Sequence, residues 1–251
     1  MDPTEAPDPI STTPPANFPE TADIETANDD YAKRFAGPAG QWLLDVQSRE
    51  LRAALDGLPA GGKALDVGGG HGQTESVLRE RGFEVLVTGS AESCRERLPP
   101  DTPFEIANHL ELPHGDRSMD VVISFRLLPH CEQWKVLIKE LCRVADKRVI
   151  IDYPAKQSVN FLADALFGLK KGIEKNTRTF TLFSHREVRE AFEAEGFEVQ
   201  RHPQFFWPMV LHRMLKRPGV SKFLEALAKP VGLTRFFGSP VVLEARRVSK
   251  A

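Results

Sequence analysis

Residues 64–73 read Ala-Leu-Asp-Val-Gly-Gly-Gly-His-Gly-Gln, and no other stretch restricts the fold as strongly. Ala64, Leu65 and Val67 surround one acid, Asp66, and the chain then breaks into glycines at 68, 69, 70 and 72. An apolar strand that ends in such a loop and enters a helix makes a cradle for a nucleotide-like ligand. Glycine lets the backbone approach that ligand where a Cβ would collide. The helix expected over Thr74–Arg81 turns its first N–H groups toward anything anionic. A dinucleotide fingerprint needs its third glycine three residues after the second. That place is Gln73, and the glycine comes one early, at Gly72. An acid two residues before the first glycine suits a cationic ligand group better than a pyrophosphate.

β and α patterns alternate on either side of this loop. Tyr31–Leu58 reads as one helix. Strands are expected at Lys63–Val67, Phe83–Thr88, Phe104–Ala107, Asp120–Phe125 and Arg148–Asp152, with a short helix at Ala91–Leu98. Trp134, Leu137, Ile138, Leu141, Cys142 and Ala145 form one helical stripe. Ser184 and Glu187 form a capping box for a helix closed by Gly196. Strands at 197–206 and Val241–Arg246 follow, separated by short basic helices at about 208–217 and 220–229. Alternation of this kind implies a mostly parallel sheet with crossover helices.

The ends differ in composition. Residues 1–30 hold eight acids, six prolines and no Lys or Arg, which predicts a disordered tail, with one folded domain over 31–251. Residues 154–251 carry 17 Lys and Arg against nine Asp and Glu, although the whole chain is at −2. Such a basic half can meet an anionic substrate or a membrane surface. Three cysteines without C-x-x-C spacing argue against disulfides and a zinc site, and point to a cytoplasmic protein. No apolar run approaches the ~20 residues that span a bilayer.

The spacing Asp-x-Gly-x-Gly-x-Gly at 66–72 resembles motif I of the class I S-adenosylmethionine (SAM)-dependent methyltransferases. Ser118-Met119-Asp120-Val121-Val122, with a strand tip running from Ser124 to Leu128-Pro129-His130, is a second similarity. Asn108-His109-Leu110-Glu111-Leu112-Pro113 resembles that family's Asp-Ala-x-x-Leu-Pro. The resemblance implies an α/β fold: a Rossmann-like, doubly wound, mostly parallel seven-stranded sheet with helical lid insertions at 154–183 and 207–238. It implies SAM as cofactor, with Asp66, Gly68, Gly70 and Gly72 at its amino acid end. Asn108 would meet the adenine amino group and His109 the ring, through its backbone N–H. Ser124 would border the sulfonium, and Tyr31 is a further cofactor contact. One position departs from the pattern. The acid that should bond the ribose at the end of the second strand falls at Ser90-Ala91, so Ser90 either meets the ribose or caps the next helix.

The same resemblance implies a small, lipophilic methyl acceptor, most like those of the ubiquinone and menaquinone biosynthesis enzymes. Asn/Asp-Pro-Pro-Tyr/Phe is missing after the fourth strand, which argues against nucleic acid substrates. The fourth strand lacks a terminal acid and the fifth an Asp-Asn pair, so no metal is expected. His130 is the first candidate base, because neutral imidazole accepts a proton near pH 7. Asp152 and Tyr153 come second and His185 third. Trp207, Val210, Leu211, Met214 and Leu215 form an apolar stripe, with His212, Arg213, Lys216 and Arg217 opposite, which also suits a helix lying on a membrane. Three other readings stay open: a SAM-binding protein without turnover, a nicotinamide-dependent oxidoreductase, and a membrane-surface protein.

Overall fold

The computed structural model describes residues 18–159 and 180–248. Seven strands form one sheet: β1 (Lys63–Val67), β2 (Glu84–Gly89), β3 (Phe104–Ile106), β4 (Met119–Ser124), β5 (Ala145–Tyr153), β6 (Phe197–Pro203) and β7 (Val241–Arg247). Their order is β3-β2-β1-β4-β5-β7-β6. β1 to β5 run parallel, and β7 runs antiparallel to both β5 and β6. The order reverses between β1 and β4. Loops leaving their C-terminal ends diverge there and open a crevice.

The central strands are buried on both faces, as their near-continuous apolar runs demand. Leu65, Val67 and Val122 face one layer, with Leu137, Ile138 and Leu141 of the helix α5 (Trp134–Val144). Ala64, Val121 and Ile123 face the other, with Leu51, Val77 and Leu78 from α3 (Gly37–Ala54) and α4 (Glu75–Glu80). Alternate residues of each strand thus feed opposite cores. Asp120 fastens the lower edge: its carboxylate accepts the Lys63 N–H at 2.8 Å and the Lys147 ammonium at 2.5 Å. Gly62 beside it must be glycine, since its φ is +100° and a Cβ there would lie 2.4 Å from Asp120 Oδ2. The turn between α5 and β5 has vanished, for β5 begins at Ala145 directly after Val144. The capping box at Ser184 and Glu187 is formed and opens α6 (His185–Ala194).

Two expectations need correction. Within the segment 1–30, the described residues 18–30 are not a loose tail. They carry α1 (Ala22–Thr26) and α2 (Asp29–Ala32), and Glu20, Ala22, Asp23 and Ala27 are buried. Average composition misjudges them because their acids find donors inside the fold: Glu20 accepts the Gln133 N–H at 2.8 Å, and Asp23 is held by Ser90. The single helix expected over Tyr31–Leu58 is broken. α2 ends at Ala32, a 3-10 turn spans Lys33–Phe35, and α3 starts at Gly37, whose φ is +72°. Gly40 allows the sharp join, because a Cβ there would fall 2.1 Å from the Phe35 carbonyl. The helix expected between Leu162 and Leu169 lies outside the described residues.

Candidate active site

Asp66 is the last residue but one of β1 and is 1% exposed. One carboxylate oxygen accepts the Thr74 hydroxyl, while Oδ1 is buried without a hydrogen-bond partner among the described residues. Burial pushes its pKa up to about 6, with the Thr74 hydrogen bond opposing. An orphaned carboxylate oxygen is costly unless a ligand donates to it. The glycines are there to seat it. A Cβ on Gly69 would lie 2.2 Å from Asp66 Cγ, and Gly68 takes the left-handed φ of +75° that side chains avoid.

Among the other expected cofactor contacts, Ser124, Asn108 and Ser90 have their polar groups engaged within the protein. Ser124 donates its hydroxyl to the Val67 carbonyl at 3.0 Å, tying the tips of β4 and β1 together. Asn108 Oδ1 accepts the Leu110 N–H at 3.1 Å. The His109 ring is buried, neither nitrogen makes a hydrogen bond among the described residues, and Nε2 lies 3.8 Å from Asp23. Ser90 follows β2 and donates both its N–H and its hydroxyl to Asp23, each at 2.6 Å. Tyr31 stacks on His71, with ring centres 5.8 Å apart.

Beyond the tip of β4 opens a much larger cavity of about 690 Å³, mostly apolar. His130, Asp152 and Tyr153, the three leading candidates for catalysis, all line it, as do Tyr31 and Phe180. His130 closes a 3-10 turn (Leu128–His130), and its ring is 5.5 Å from that of Phe180. Asp152 is pushed upward in pKa by burial, against the opposing charge of Arg126. Tyr153 is wholly buried, and burial raises its phenol above the usual range. His185 is lowered to about 4 by burial, so its ring is neutral, and its Nδ1 shares a hydrogen bond with the Tyr153 hydroxyl at 2.9 Å.

Sequence reading missed Arg126. Its φ of +64° is left-handed, and its guanidinium donates to Gln47 and Gln73 while lying 4.3 Å from the Phe35 ring centre. Arg126 and Gln47 line both the large cavity and the small space beside Asp66, so they form the partition between the two. A polar residue following β4 was the only signal available for it.

The segment that carries α7 (Met209–Leu215), α8 (Pro218–Ala228) and α9 (Leu233–Phe237) corrects another expectation. His212 is not on an exposed face. It is fully buried against Trp42 and Phe205, and its Nε2–H donates to Glu225 at 3.0 Å. Glu225 also accepts the N–H groups of Phe206 and Trp207, both at 3.0 Å. Val210 and Met214 instead line the mouth of the cavity and remain partly exposed.

A buried acid with one free oxygen, a glycine loop with no room for side chains and an adjoining apolar cavity fit a nucleoside cofactor that carries a cationic end. The fold and site define a class I SAM-dependent methyltransferase, with SAM as the cofactor. The chain belongs to the methyltransferase domain family, whose pattern residues 42–202 match. It is 38% identical over 97 residues to the 2-methyl-6-phytyl-1,4-hydroquinone methyltransferase of Synechocystis sp. (strain ATCC 27184 / PCC 6803 / Kazusa), covering 36% of this chain. That match spans only 30% of the relative's length. Its fold is similar to the magnesium protoporphyrin IX methyltransferase of Synechocystis PCC 6803 with bound SAH (S-adenosylhomocysteine), at a TM-score of 0.61 and 17% identity, covering 89% of this chain and 97% of that one. The geranyl diphosphate C-methyltransferase of Streptomyces coelicolor A3(2) gives a TM-score of 0.57 at 13% identity, covering 81% and 79%.

Proposed function

We propose that the chain transfers a methyl group from SAM to a small lipophilic acceptor held in the 690 Å³ cavity. The observation that carries this reading is the meeting of two spaces at Arg126 and Gln47: the glycine-loop groove on one side, an apolar cavity with His130 and Asp152 in its wall on the other. When bound, SAM supplies a methyl group on a positively charged sulfur. The chain's own task is to align the acceptor and exclude water, which is worth up to ~7–11 kcal/mol. The apolar wall formed by Trp207, Met209, Leu211 and Met214 serves that exclusion. His130 is the first candidate to take a proton from an acceptor hydroxyl, on a ring nitrogen; Asp152 is the second, on its carboxylate. A quinol or other phenol suits both the apolar cavity and this need for a base. The relatives named above for a hydroquinone, a porphyrin and a prenyl diphosphate support a lipophilic acceptor.

A membrane surface is a fitting source of such an acceptor. Met214, Phe223, Leu227 and Phe236 on α7 to α9, and Val231 in the turn before α9, are exposed. Across 208–238 they are interleaved with six Lys and Arg, and the one acid, Glu225, is buried. That pattern complements an anionic bilayer. No described helix is long and apolar enough to cross a membrane. The three cysteines are unpaired and buried, which supports a cytoplasmic location.

The test is transfer of labelled methyl from SAM to a panel of quinols, phenols and lipids, with calorimetric SAH binding and NAD(P) as control. Turnover of a hydrophobic acceptor supports the reading. SAH binding without turnover of any of them leaves a SAM-binding protein and removes the acceptor proposal.

A further inference from the structure

Residues Glu20–Ala27 lie along the cofactor groove itself. Asp23 is 1% exposed and its carboxylate accepts the Ser90 N–H and hydroxyl, both at 2.6 Å, and the Cys94 thiol at 3.2 Å. Ser90-Ala91 is where the family pattern would put a ribose-binding acid. Ala22 is buried in the core that holds Ala107, Leu112 and Leu127. Ala27 rests on the glycine loop: a Cβ on Gly70 would fall 2.8 Å from the Ala27 Cβ, and one on Gly68 would fall 3.6 Å from the Asp23 Cβ. The His71 ring donates to the Thr26 carbonyl and closes the same strip against the loop. Burial depresses the His71 pKa to about 4, so this ring is neutral at physiological pH and donates through Nε2–H. The space left beside Asp66 is about 20 Å³, room for about one water molecule.

We propose that Glu20–Ala27 is an internal competitor of SAM, a strap whose Asp23 carboxylate takes the place of the ribose at Ser90. The glycine loop and the end of β2 cannot hold this strip and an adenosine together, because the strip fills the space between them. SAM therefore binds only to the fraction of molecules whose strap has left the groove, and the apparent affinity is lowered by that fraction. The hydrogen bonds at Asp23 set the fraction, since a buried carboxylate leaves its donors only when new ones or water replace them.

The full-length chain and its Asp23→Ala and Asp23→Asn variants should be compared by calorimetric titration with SAH. Weakening the strap should tighten SAH binding, by about tenfold for Asp23→Ala. Equal affinity would overturn the competition. Weaker binding would also overturn it, and would make Asp23 the missing ribose ligand, supplied from outside β2. The unmodified protein gives a second readout that does not depend on a variant folding. Saturating SAH should raise deuterium uptake in residues 20–27 while protecting residues 66–73. Protection of both segments would mean that the strap closes over the cofactor, against the proposal. SAH binding to none of the proteins would overturn the assignment of the groove to SAM and the competition with it.

Discussion

The backbone N–H of Arg126 donates to the Asp152 carboxylate at 2.5 Å, joining the tip of β4 to the end of β5. Arg126 reaches this arrangement at a φ of +64°, so the chain accepts a strained residue to place a guanidinium between the cofactor groove and the acceptor cavity. The bond also fixes a buried carboxylate beside a fixed positive charge. Burial raises the Asp152 pKa and Arg126 lowers it.

This pair makes a pH prediction. Asp152→Asn should reduce methyl transfer by about 10²-fold or more if its carboxylate takes the proton. Arg126→Met removes the charge that lowers the Asp152 pKa, so the acid limb of the kcat/KM profile should move to higher pH. A limb that stays in place removes Asp152 from the titration.

His130 and Tyr153 should separate clearly. His130→Ala is expected to lower single-turnover transfer by about 10²-fold while SAH affinity holds. Tyr153 keeps its proton at neutral pH, so Tyr153→Phe should lose only its hydrogen bond to His185, about 1 kcal/mol of stability, and retain transfer within a few fold. The reverse order of effects would exchange their roles.

Asp66 should trade stability for binding. Its carboxyl titrates near 6 in the folded protein against an ordinary 3.8, so the folded state holds that proton more tightly. The stability this provides is full below pH 4 and is lost as pH rises through 6, a change of roughly 3 kcal/mol. Asp66→Asn should therefore raise the Tm of the ligand-free protein at pH 8 by about 6–12 °C, with little effect at pH 4. The same variant should weaken SAH binding at least about tenfold by calorimetry. Unchanged SAH affinity would separate Asp66 from the cofactor.

The exposed apolar residues on α8 and α9 give a membrane prediction. Sedimentation with vesicles containing anionic lipid should fall about tenfold for Phe223→Glu and for Phe236→Glu. Binding of the unmodified protein should weaken as salt rises. Indifference to both changes would assign this face to another partner.

Glu225 holds the cavity wall through three N–H donors, those of Phe206, Trp207 and His212. Glu225→Ala should cost about 3 kcal/mol in chemical denaturation, since it strands buried donors. Glu225→Gln should cost less, because its amide oxygen still accepts.

The sequence by itself determined the sheet, the glycine loop and the placing of His130 beyond the tip of β4 and of Asp152 at the end of β5. Each of those rests on short-range rules: alternation along a strand, the helical stripe of Trp134–Cys142, and glycine where a Cβ cannot fit. The packing of Asp23 against Ser90, 67 residues away, and of Arg126 against Gln47, 79 residues away, was decided only in three dimensions. The orientation of His212 belongs with these. A helix of seven residues has too few positions for a stripe to fix its face, and the carboxylate of Glu225 drew the histidine inward. Local patterns record which backbone shape costs least. A buried polar group instead goes wherever the folded chain supplies its partner, and that partner can come from any point in the sequence.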